Sequence, residues 1–151
     1  MAIDTDVRAL AQVPLFQGFS AEQLRLIAFG TEHLSMGKGR ELYREGEAAD
    51  CGFLILSGSV NLVEDKAMNR RIVHTAGAGT LLGELALIAP VERSTGAVAA
   101  GDCEVMRISR SLFRRVLDEY PELAARLHAD LSRRFGGFID DVAKLEKRFN
   151  D

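Results

Sequence analysis

The chain has 151 residues, 47% of them hydrophobic, with a formal net charge of −3 and a pI near 5.7. That length and apolar content suit one folded domain with its own core, and they exclude a disordered chain. The mild acidity offers no basic excess for a nucleic-acid duplex, no window approaches the roughly 18 apolar residues of a membrane helix, and "MAIDTDVRALAQ" lacks the apolar centre of a signal peptide. A cytoplasmic protein is therefore expected, without nucleic-acid binding or direct membrane insertion.

Three compositional zones follow in chain order. In "VPLFQGFSAEQLRLIAF", Ser20 and Gln23 form a capping box and Leu24, Ile27 and Ala28 follow at helical spacing, so N-terminal helices are expected over 13–40. Residues 41–109 change character: short runs rich in Val, Ile, Leu, Phe and Thr ("ELYRE", "GFLILSG", "SVNLVE", "RIVHTA", "TGAVAA", "CEVMRIS") are punctuated by glycines, and "EDKAMN" reads as a hairpin tip. Turn signals every eight to twelve residues or so indicate a small β-barrel or roll. From Ser111 the pattern is helical again, and Pro121 stops "SLFRRVLDEY" and begins a second helix, giving closing helices over 111–149. The fold class expected is mainly β with flanking helices: an eight-stranded, jelly-roll-like β-roll with an N-terminal helix and two C-terminal helices, within one domain over 1–151.

Few residues suggest chemistry. Cys51 and Cys103 form no CxxC and read as buried reduced thiols. His33, His74 and His128 have no metal-ligand spacing, so no metal is expected. Neither a G-x-S-x-G elbow nor a phosphate-binding GxxxxGK[ST] loop is present, which leaves no hydrolase or kinase signature and no catalytic residue. Arg114–Arg115 and Arg133–Arg134 read as solvated helix faces.

One stretch stands out, "LGELALIAPVERSTGA" at 82–97. Gly83 would let the backbone approach a ligand closely, and "ELALIA" could supply a helical turn whose N–H groups face an anion. Arg93 would add a charged forked donor and Ser94 a hydroxyl, while the Glu84 carboxylate, an acceptor only, suits a sugar hydroxyl. On spacing alone, an ion pair between Glu84 and Arg93 that closes a loop explains the same residues.

The stretch resembles the phosphate-binding cassette of cyclic nucleotide-binding domains, as found in catabolite activator proteins and cyclic nucleotide-gated channels: Phe-Gly-Glu-aliphatic-Ala-Leu, a short variable run, then Arg-Ser/Thr-Ala. "LYREGEAADCGFLILSGSVNLV" is similar to the family's first strand pair with its spaced glycines, and "CEVMRISRSLFRRVLDEYPEL" to its last strand and closing helices. The resemblance runs from about Val13 to Leu145. It implies a β-roll that binds a cyclic mononucleotide, cAMP or cGMP, and needs no other cofactor. The amides of Gly83, Glu84, Leu85 and Ala86, with Arg93 and Ser94, would hold the cyclic phosphate, and Glu84 the ribose 2′-hydroxyl. Thr95 stands where the family pattern has Ala and Leu82 where it has an aromatic. Phe135 and Phe138, in "RRFGGFIDD", would cover the base.

The function these residues imply is a non-catalytic regulatory sensor that signals through its C-terminal helix to an effector the sequence does not identify. Leu131, Phe135, Phe138, Val142, Leu145 and Phe149 alternate at spacings of four and three, a seam suited to a homodimer, and Gly136–Gly137 would let that helix bend. The alternatives are a degenerate scaffold that has lost its ligand, or a fragment of a transcription regulator whose DNA-binding module lies beyond Asp151.

Overall fold

The computed structural model describes residues 2–135. The chain opens with α1 (Ala2–Ala11), a 3-10 turn at Pro14–Phe16 and α2 (Ala21–Gly30), whose capping box forms as expected: Ser20 Oγ accepts from the Gln23 amide (3.1 Å) and Gln23 Oε1 from the Ser20 amide (2.8 Å). The strands are β1 (Glu32–Met36), β2 (Glu41–Tyr43), β3 (Ala48–Ala49), β4 (Cys51–Ser57), β5 (Ser59–Lys66), β6 (Asn69–Gly77), β7 (Leu81–Leu82), β8 (Val91–Glu92), β9 (Gly96–Ala99) and β10 (Cys103–Ser109). A second 3-10 turn, Glu84–Leu87, lies between β7 and β8; α3 (Arg110–Glu119) and α4 (Pro121–Phe135) close the order. Pro121 is the first residue of α4, where its missing N–H costs nothing.

Eight strands form two four-stranded sheets, ordered β1-β10-β4-β7 and β2-β9-β5-β6, while β3 and β8 pair separately. Phe53, Ile55 and Val105 from the first sheet meet Val60, Ala97 and Ala99 from the second to fill the roll. Leu54, Met106 and Ile108, on the other face of the first sheet, pack under Leu10, Phe16, Ile27, Phe113 and Leu127 from the helices. β4 is thus covered on both faces, which explains why "GFLIL" is continuously apolar rather than alternating. The β4–β5 turn needs Gly58: its φ is +79°, and a Cβ there would strike the Asp102 carbonyl and Cys103.

Two features differ from the sequence reading. The stretch 13–40 is not wholly helical, because β1 occupies Glu32–Met36 and pairs antiparallel with β10, Leu34 opposite Val105. α1 was not anticipated; its Ile3, Val7 and Leu10 share the helix-side core, and Asp6, 4% exposed, receives His33 Nε2 of β1 at 2.9 Å.

The β5–β6 hairpin tip is tighter than "EDKAMN". Lys66 pairs with Asn69, so Ala67–Met68 alone make the turn, with Ala67 at φ +57°. A non-glycine residue in the left-handed region costs about 1 kcal/mol or more. Ala67→Gly should therefore raise the thermal unfolding midpoint by a few degrees; a lower midpoint would show that the turn does not carry this strain.

Candidate functional site

Gly83 fixes the site's backbone. It adopts φ +82°, ψ 36°, and turns the chain from β7 into the 3-10 turn Glu84–Leu87. The Ala86 amide closes this turn on the Gly83 carbonyl (3.0 Å), and the preceding Leu85 amide has no acceptor within the turn itself. A Cβ on Gly83 would sit 2.5 Å from Arg93 Nη1 and 3.1 Å from the Cys51 carbonyl oxygen, so a side chain fits there only if the guanidinium moves.

Arg93 follows β8 and is 7% exposed. Its backbone is held at both ends: its amide donates to the Glu47 carbonyl (2.8 Å), and the Gly46 amide donates to the Arg93 carbonyl (2.8 Å). Nη2 donates to the Cys51 carbonyl (2.9 Å) and lies 3.3 Å from Cys51 Sγ. Cζ lies 4.1 Å from the centroid of the Tyr43 ring and 5.7 Å from that of Phe53, and those rings stack at 5.9 Å. Burial pushes both the Tyr43 phenol and the Cys51 thiol up, so near neutral pH neither supplies an anion. No carboxylate of the described residues is within ion-pair distance of Arg93, and its Nη1 is buried without a hydrogen-bond partner among them. π faces and one carbonyl offset only part of the cost of that charge.

Arg93 also lines a cavity of about 500 Å³, whose wall includes Gly83, Glu84, Leu85, Ala86, Ser94 and Thr95. Seven of the residues singled out in the sequence are thus brought together. Tyr43, Leu62 and Val91 add an apolar side. Phe135 ends α4, and Phe138 lies outside the described residues, as does the helical seam beyond Phe135. Leu131, the first residue of that seam, is buried in the helix-side core.

Sequence reasoning missed the aromatic floor. Tyr43 and Phe53 read as ordinary strand residues, and Cys51 as a packed thiol; what links them to Arg93 is the packing of the two sheets across the roll. It also missed Arg110, the first residue of α3. Arg110 Nη1 lies 2.7 Å from the Ala89 carbonyl oxygen and 3.3 Å from those of Ala86 and Ala49.

The roll, its flanking helices and a glycine-bounded turn beside a buried arginine frame a cavity whose volume falls in the range of small-molecule sites. The profile of the cyclic nucleotide-binding domain matches residues 33–120, more than half of the chain, and the protein belongs to that family. A cyclic nucleotide-binding-like protein from Brucella abortus is 50% identical, with a TM-score of 0.71 over 75% of this chain and 97% of its own. The regulatory subunit of cAMP-dependent protein kinase from Eremothecium gossypii is 34% identical over 68% of this chain. A lysophospholipase from Neurospora crassa is 28% identical over 82% of it. The match spans 22% of the length of that kinase subunit and 8% of that of the lysophospholipase. No helix among the described residues is long and apolar enough to cross a membrane.

Proposed function

We propose that the protein is a cytoplasmic, non-catalytic sensor that binds a 3′,5′-cyclic purine mononucleotide, cAMP in preference to cGMP, and reports occupancy through its closing helices. The observation that carries this reading is Arg93: a buried cation with one unpartnered nitrogen, in a residue at the wall of a cavity, packed against a glycine where a side chain would displace it. A cyclic phosphate is a monoanion whose oxygens match such a donor. In this reading Arg93, Ser94 and the turn amides hold the phosphate, and Glu84 accepts from the ribose 2′-hydroxyl. Phe135 and Phe138 cover the base, and the part of the seam that follows Leu131, itself buried in the core, supports a homodimer. Membership of the family and the likeness to a cAMP-dependent kinase subunit support the ligand class.

Calorimetric titration with cAMP and cGMP tests the reading, and thermal unfolding checks it. A ligand at a hundred times its Kd adds about 2.7 kcal/mol, roughly 5 to 10 °C for a chain of this size. A flat response to both nucleotides at millimolar concentration would instead assign the protein as a scaffold with a vestigial site.

A further inference from the structure

Arg110 occupies an unusual position for a first helical residue. Its side chain turns back from α3 beneath the 3-10 turn, where Nη1 serves the Ala89 carbonyl (2.7 Å) and shares its second hydrogen between Ala86 and Ala49 (3.3 Å each). A cation suits the carbonyl end of a helical turn. Its backbone amide donates to the Asp50 carbonyl (2.8 Å), and the next carbonyl, Cys51, is the one that holds Arg93 Nη2 (2.9 Å). The Asp50 and Cys51 carbonyls are thus held by the Arg110 backbone amide and by the Arg93 guanidinium, respectively. The loop closes through Ala86, whose amide bonds the Gly83 carbonyl, next to Arg93 Nη1.

We propose that Arg110 is a positioning residue that couples the ligand cavity to α3, so that a shift of the Gly83–Ala89 turn reaches the start of α3 through this side chain. The inference rests on the nucleotide reading above. Leu87 shares its core with Leu112, Phe113 and Val116, so apolar packing also joins the turn to α3. Such packing is non-directional and tolerates sliding, whereas the Arg110 bonds fix how the turn sits on the helix. Arginine stays charged at every relevant pH, so the coupling needs no titration.

Amide hydrogen exchange on the full chain separates this role from simple stabilisation. In the wild type, saturating cAMP should slow exchange at 84–93 and also at 112–119, the latter about fivefold or more, the lower end for coupled sites. In Arg110→Met at saturation, 84–93 should still slow while 112–119 no longer responds. Arg110→Lys, whose ammonium can also donate to these carbonyls, should restore part of the α3 response. If Arg110→Met does not fold, Arg110→Gln is read in the same way. An α3 response in the Met or Gln variant equal to that of the wild type overturns the coupling, as does a wild type in which 84–93 slows and 112–119 does not. A wild type in which neither segment responds to cAMP or cGMP overturns the nucleotide reading, and this inference with it.

Discussion

Replacing Arg93 with Met should weaken cyclic-nucleotide binding by roughly tenfold to more than a hundredfold and leave the ligand-free protein no less stable. The loss follows from a hydrogen bond to a charged group, about 1.5–3 kcal/mol. The second half of the expectation is less usual for a buried residue. Arg93 is 7% exposed, has no carboxylate partner among the described residues, and leaves Nη1 unsatisfied. Replacing buried ionic groups with apolar ones of similar volume is often neutral or stabilising by about 1–4 kcal/mol. Against that stand the Cys51 hydrogen bond and the Tyr43 ring 4.1 Å away, the latter offsetting about 0.5–2 kcal/mol. Met keeps the length needed to fill the space over Tyr43 and Phe53 and carries no charge to desolvate. Calorimetry and thermal unfolding of the same preparations check both halves. A midpoint lowered by many degrees, with binding intact, would make Arg93 a structural residue and remove it from the ligand site.

How far the sequence reached depended on the distance over which each feature is specified. The capping box of α2 and the Pro121 start of α4 are set by residues within one turn of each other, and both form. Gly83, Glu84, Leu85, Ala86, Arg93, Ser94 and Thr95 are also close in sequence, and they line one cavity wall. What faces Arg93 from behind is another matter. Tyr43 lies on β2, and Cys51 and Phe53 on β4, in different sheets, so only the closed roll brings them under the guanidinium. β1 escaped because "EHLSM" contains no β-branched residue and little alternation. It is a strand because β10, some seventy residues away, offers it an edge. α1 escaped because Asp6 interrupts its apolar positions, and only His33 of β1 explains a carboxylate buried there.

Gly83→Ala should cost both stability and binding, and the two losses should trace to different atoms. At φ +82° an L-residue meets the left-handed penalty, about 1–2 kcal/mol, whatever surrounds it. The added methyl would also lie 2.5 Å from Arg93 Nη1 and 3.1 Å from the Cys51 carbonyl oxygen. The carbonyl belongs to β4 and yields less readily than a side-chain tip, so Arg93 must leave the position in which Nη2 reaches Cys51. Binding should therefore fall at least as far as in Arg93→Met. A double-mutant cycle isolates the steric part. In an Arg93→Ala background Nη1 is gone, so Gly83→Ala should cost little more than the backbone penalty; in the wild type it should cost more, and contacting pairs typically couple by about 0.5–3 kcal/mol. Unfolding in urea of the four proteins gives the coupling directly, provided the m-values agree. Additive losses would mean that glycine is needed at 83 for its backbone conformation alone, and that the close approach of Arg93 places no demand on that residue.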